Sequence, residues 1–182
     1  MISYLLAGPA EEPVSLAETK AFLRLDGVAE DGLVASLIAA ARLHVEAVTG
    51  RALVRQSWRV VLDAWPDELR VPVSPVIEVT TARAFDEQDD EHELDVDAIQ
   101  IAGDRLLLPA TMDGMQVLRP RLGIELDYVA GFGDAGDVPP DLKQAVLALV
   151  AHWFEHRDLA VVDAVAPAGF DRLVAGHRQV RL

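Results

Sequence analysis

From about residue 56 to residue 130 the apolar side chains of this 182-residue chain recur at every second position. On either side of that stretch they recur at helical spacing. A period of two places one face of a strand against a core, and a period of 3.6 does the same for a helix. The chain must therefore fold as helices, then strands, then helices again.

The first helical signal opens at Ser15-Leu16-Ala17-Glu18, a capping box in which the serine oxygen accepts from the Glu18 amide. This short helix is expected to run to about Leu23, with Gly27 in the loop that follows. Asp31 is placed to cap a longer helix. Its apolar positions are read as Leu33, Leu37, Ala40, Ala41, His44 and Val48, and Gly50 supplies the left-handed residue that ends it. A single rod over this span is about 28 Å long at ~1.5 Å per residue.

In the middle stretch, Trp58, Val60 and Leu62 alternate with Ser57 and Arg59. Ile77, Val79 and Thr81 alternate with Glu78 and Thr80, and Leu122, Ile124, Leu126 and Tyr128 with Gly123, Glu125 and Asp127. Leu94–Ile101 and Arg105–Leu108 read as shorter strands joined at Gly103-Asp104. Pro72, Pro75 and Pro109 mark strand ends or edges.

Helical spacing returns at Val138-Pro139-Pro140-Asp141, where proline suits a first turn and aspartate suits the helix dipole. Leu142, Val146, Leu149 and Trp153 form one stripe, and Leu147, Val150 and Phe154 a second beside it. Together they cover more than half the circumference, which predicts burial on two sides. Pro167 interrupts the pattern, and Phe170–Gly176 can form a last short helix. The expected fold is α+β. A helical core holds two N-terminal helices, one long C-terminal helix and a short last one. A mainly antiparallel β unit is inserted between helices. The expected divisions are 1–55, 56–130 and 131–182, the first and third forming one core.

Charge and composition remove several function classes. The net charge is −14, and such a chain is a poor wrapper of nucleic acid, whose binding rests on phosphate neutralisation. There is no cysteine, which removes disulfides, thiolate zinc sites and a cysteine nucleophile. The opening Met1-Ile2-Ser3-Tyr4-Leu5-Leu6 lacks a basic secretory start, and Leu33–Ala41 and Ala145–Phe154 fall short of the ~18–20 apolar residues of a bilayer span. Asp86–Asp97 carries eight acidic residues and no lysine or arginine. Without a central glycine it reads as a solvated hairpin tip and not as a calcium loop.

Two stretches spell catalytic motifs. Gly131-Phe132-Gly133-Asp134-Ala135-Gly136 is G-x-G-x-x-G, the pattern that lets a backbone approach a pyrophosphate. Asp134 and Asp137 would oppose phosphate, the helix start is delayed to the prolines, and the remaining chain is too short for a nucleotide domain. These glycines are expected to make the turn from sheet to helix. His152-Trp153-Phe154-Glu155-His156 is H-x-x-E-H, an inverted zinc-hydrolase motif. The third ligand of that class is a downstream glutamate, and none follows Glu155; Asp158, Asp163, Asp171 and His177 remain as substitutes. Ser3, Ser15, Ser36, Ser57 and Ser74 lie in cap, helix or strand contexts, outside G-x-S-x-G. The alternative to a structural protein is a small metal-dependent hydrolase or nucleotide-binding enzyme built on one of the two motifs.

The ordered segments resemble one family. Pro13-Val14-Ser15-Leu16-Ala17-Glu18, Thr49-Gly50-Arg51-Ala52-Leu53, Gln56-Ser57-Trp58 and Pro72-Val73-Ser74-Pro75-Val76 are similar to head–tail connector (adaptor) proteins of tailed bacteriophages and gene transfer agents. So are Tyr128–Gly133, Val138-Pro139-Pro140 and Ala151–Arg157. The likeness runs from about Pro13 to Leu173. The family commonly has asparagine where this chain has His156, which makes the H-x-x-E-H spelling accidental. The resemblance implies a protein with no catalytic, metal or cofactor site. It implies a ring of copies, twelve-fold on the portal protein, in the neck of a particle assembled in the bacterial cytoplasm. That ring extends the DNA channel, lets DNA pass without sequence-specific binding, and receives a downstream head- or tail-completion protein; no membrane is involved. Ring contacts are heterologous. Leu147, Val150 and Phe154, with Phe170 and Leu173, are the expected interface or tail-docking residues, or else they are buried within one subunit. The basic tail Arg172–Leu182, with Arg178 and Arg181, is expected to be mobile alone and to order against the portal.

Overall fold

The computed structural model describes residues 1–110, 117–156 and 166–179. The chain forms two compact units: Met1–Pro9 with Arg55–Gly131, and Ala10–Val54 with Phe132–Leu182.

The first unit is built of strands. These are β1 (Ile2–Ala7), β2 (Gln56–Leu62), β3 (Glu68–Arg70), β4 (Val76–Phe85), β5 (Glu91–Glu93), β6 (Gln100–Ala102), β7 (Arg105–Leu107) and β8 (Ile124–Ala130). A five-stranded antiparallel sheet has the order β1-β2-β8-β4-β5, and a three-stranded one the order β3-β7-β6. One face of the larger sheet is apolar: Val60 lies opposite Leu126, Leu62 opposite Ile124, and Ala82 and Ala84 opposite Leu126 and Ile124 on the other side. All of these are buried, as are Leu69 and Leu106 in the smaller sheet.

Several expectations change here. Ile2–Ala7, expected within the N-terminal helical part, pairs instead with β2, Leu5 opposite Trp58. Its Ile, Tyr and Leu side chains favour an extended backbone. In β4 the buried residues are Val76, Ala82 and Ala84, while Ile77, Val79 and Thr81 are only half-buried. Register shifts between Val76 and Glu78 and between Val79 and Thr81 explain it: each added residue moves later side chains to the other face. Leu94–Ile101 is not one strand. Asp95 accepts from the Asp97 amide and opens a short 3₁₀ turn at Val96–Ala98 before β6. Leu122 sits at φ 54° in a turn, 38% exposed, ahead of β8.

The acidic stretch forms the β4–β5 hairpin end. Asp86 accepts from the Gln88 and Asp90 amides and meets His92 Nε2 at 2.8 Å. The His92 hydrogen bond, followed by those amides, holds the Asp86 carboxyl below its ordinary range. Its carboxylates thus organise their own turn.

The second unit holds α1 (Leu16–Leu23), α2 (Asp31–Thr49), α3 (Pro140–Glu155) and α4 (Phe170–Val174). Ser15 caps α1 by accepting from the Glu18 amide at 3.1 Å. Gly50, at φ 71°, ends α2. The cap of α2 is Glu30, not Asp31; Asp31 is the first helical residue, and its carboxylate pairs with Lys20. The buried stripe of α2 is Val34, Ile38, Ala41, Arg42, Val45 and Thr49, one position on from the expected set. It packs with Leu142, Ala145, Val146, Leu149 and Val150 of α3 into one core that also takes in Val14, Leu53, Phe170 and Val174. Arg42 is the exception in that stripe. Its Nε reaches Glu12 and its Nη1 reaches Glu46, both at 2.8 Å, so the charge enters the core margin already paired. By length and composition alone α2 is apolar enough to cross a membrane, with 33% of that stretch buried inside the structure.

Candidate functional site

The G-x-G-x-x-G stretch makes a turn. Four of its six amides, the groups a phosphate would need, are already engaged. The Gly131 amide donates to Pro75 O and the Phe132 amide to Leu53 O. The Asp134 amide donates to the Asp137 carboxylate at 3.0 Å, and the Ala135 amide to Glu11 at 2.8 Å. Gly133 has φ 129°, and a Cβ there would collide with the Asp137 carboxylate that closes the turn. Alanine at Gly133 is therefore expected to destabilise the helical unit by about 2 kcal/mol, the usual range for a residue forced into so unfavourable a backbone. Urea unfolding followed by circular dichroism measures it; an unchanged midpoint would remove the structural role of this glycine.

The H-x-x-E-H residues end α3. His152 and His156 stack with ring centroids 4.6 Å apart, and His156 Nδ1 meets the His152 carbonyl at 2.9 Å. That backbone oxygen requires a proton on Nδ1. Trp153 and Phe154 pack against the core, with His44 edge-on to Trp153 at 5.8 Å. Among the described residues no group of three His, Asp or Glu is placed to hold a metal ion.

The expected interface residues do not share one surface. Leu147 and Val150 are 7% and 0% exposed, inside the chain's own helical core, as is Phe170 at 4%. Two apolar stripes side by side on α3 signal burial, and α2, α4 and the segment around Val14 and Leu53 supply enough partners within the chain. Phe154 and Leu173 are half-buried at the margin of that core. Arg178 is exposed and pairs with Asp171. Arg181 lies outside the described residues. The tail is expected to be mobile, but its described part docks on the helical unit. The Gln179 amide donates to Thr49 O at 2.9 Å, Arg51 Nε to His177 O at 3.1 Å, and His177 Nε2 lies 2.7 Å from Asp141.

The polar face of the larger sheet carries an ion network centred on Asp127. Asp127 takes Arg59 on both oxygens, at 2.5 and 2.7 Å, and Arg83 at 3.1 Å. Glu125 meets the same two arginines at 2.9 and 3.4 Å. The hydrogen bond to Asp127 is the largest influence on the Arg59 guanidinium and holds its proton more tightly than usual. Glu91 also approaches Arg83, at 3.8 Å, so two guanidiniums are shared among three carboxylates, and the cluster is a strut across β2, β8, β4 and β5.

The sequence reading misses two exposed surfaces. β1 leaves Ile2, Tyr4, Leu5 and Leu6 each between 43% and 51% exposed on a sheet edge. α2 leaves Leu33 and Leu43 exposed on the side away from the core. The signal was present: the side of α2 away from the core carries no charged residue, whereas a surface helix packed by one face carries charge on the other.

The motifs that spell chemistry are thus turns and helix ends, and the buried charges are paired. Likeness to known proteins supplies the class, a head-completion protein of a phage-like particle. The sequence matches the family model "Head completion protein" over residues 12–161, and the chain belongs to that family. Among solved structures it is similar to a chain of the neck of an empty gene transfer agent particle computed with C6 symmetry, with 29% identity and a TM-score of 0.80. It is similar to a chain of the virion of a native gene transfer agent particle, at 30% and 0.80. A third similar chain comes from the neck of a native particle computed with C12 symmetry, at 27% and 0.80. Each match covers 100% of this chain and 97% of the other. No curated protein matches it.

Proposed function

We propose that this chain is a structural connector in the neck of a phage-like particle of the gene transfer agent type. Copies form a ring, twelve-fold, beneath the portal protein. The ring lengthens the DNA channel and presents a platform to the next head- or tail-completion protein. The observation that carries this is full-length likeness to chains of gene transfer agent necks, at 27–30% identity and TM-score 0.80. The C12 symmetry used for one of those necks supports the twelve-fold count.

The net charge of −14 fits a channel protein that must not hold DNA, because like charge discourages phosphate adhesion. Of the expected contact residues, Phe154, Leu173 and Arg178 keep accessible surface, and they are the part of that set we assign to contacts with the portal or a neighbour. Deleting the gene is expected to leave filled heads without tails, restored by a plasmid copy. Normal tailed particles from the deletion strain, seen by negative-stain microscopy, would contradict the proposal.

A further inference from the structure

On α2 the exposed positions Leu33, Ser36, Ala40, Leu43 and Ala47 follow one another at steps of three, four, three and four. That is the a/d spacing of a helix seam, sustained over two heptads on the side opposite the buried stripe. Leu43 is 57% exposed and Leu33 37%. The charged residues of this helix do not reach the seam: Asp31 pairs with Lys20, and Arg42 with Glu12 and Glu46. A helix with one seam built into its own core and a second, uncharged one facing outward is prepared for two packing partners.

Charge selects the occupant. The chain carries 30 acidic and 16 basic residues. A basic partner would be drawn to carboxylates, and this seam has none; nucleic acid would be repelled by the molecule as a whole. Two copies of so acidic a chain repel each other wherever charged faces meet. They approach at least cost where both lose only apolar surface, and a 19-residue helix with a neutral outer seam provides such a face. We infer that the outer seam of α2, centred on Ala40 and Leu43, is where one copy of this chain packs against the next in the assembled ring. The inference rests on the ring proposed above. Because copies around an axis meet heterologously, the surface opposite this seam on the neighbour is not α2 itself.

The test places a photo-crosslinking amino acid at position 43, and separately at 47, in the full chain made by particle-producing cells. Particles are purified, irradiated and digested, and the crosslinked peptides are read by mass spectrometry. The expected product joins two copies of this chain, with the second attachment outside residues 31–49. Attachment to any other protein, attachment of α2 to α2, or no product from either position in incorporated protein would overturn the contact. Finding no unmodified chain in wild-type particles would instead remove the neck assignment, so the two failures are distinct. Leu43→Glu is further expected to cut the amount of chain per particle at least tenfold while the melting temperature of the free protein stays unchanged. Wild-type incorporation of that variant would also overturn the contact.

Discussion

Arg42→Ala should lower the stability of the helical unit by about 3 kcal/mol, the effect expected when one member of a buried ion pair is removed. The guanidinium bridges Glu12 and Glu46, and the side chains of Arg42 and Glu46 are only 10% and 13% exposed. Without the arginine, Glu46 is left as an anion at the core margin. It cannot simply swing into water, because its other oxygen accepts from the Leu53 amide at 2.9 Å and so closes the chain after α2. Arg42→Met keeps the apolar stem and should recover part of the loss. Chemical denaturation at constant m-value reads both variants. A change below about 0.5 kcal/mol for Arg42→Ala, the range of an ordinary surface substitution, would mean that the pairing does not hold α2 in place.

Asp127→Ala should cost the sheet unit a comparable amount, about 2–3 kcal/mol once partial solvation is allowed for. Asp127 is 9% exposed and is the shared acceptor of Arg59 and Arg83, whose side chains are about one-fifth exposed. Its loss leaves two neighbouring cations with Glu125 between them and the more exposed Glu91 beside Arg83. The three residues sit on adjacent strands, Arg59 directly opposite Asp127 on β8, so the repulsion acts across the central ladder β2-β8-β4. Asp127→Asn, which keeps an oxygen acceptor, should fall between. A double-mutant cycle of Asp127→Ala with Arg59→Ala should show coupling of more than about 1 kcal/mol, as expected for residues in one network. Additive effects would show that each side chain acts alone.

What was legible in the sequence follows from how local each signal is. Ser15 before Glu18, Gly50 after α2 and the prolines before α3 act within a turn of chain, and they placed the helix ends. The phase of α2 was not local. Positions 33, 37, 40, 44, 48 and positions 34, 38, 41, 45, 49 are both largely apolar, and the choice between them is made by α3 and by the reach of Arg42 to Glu12, thirty residues earlier. β1 lacked a period-two signature because, on an edge with both faces partly open, it carries apolar residues in succession. β4 carried the signature, but its two register shifts broke the phase partway along. The family was legible in the order and spacing of its motifs. What the paired stripes on α3 pack against was not, because α2 and the segments around Val14 and Leu53 that cover Leu147 and Val150 lie far away in the sequence.

The most direct measurement is cryo-electron microscopy of the neck of particles from cells that make this chain, without imposed symmetry. The account predicts a ring of density between portal and tail into which both units of the chain fit, repeated twelve times around the channel. A neck in which this chain has no density, or in which it stands as a single copy off the axis, would contradict it.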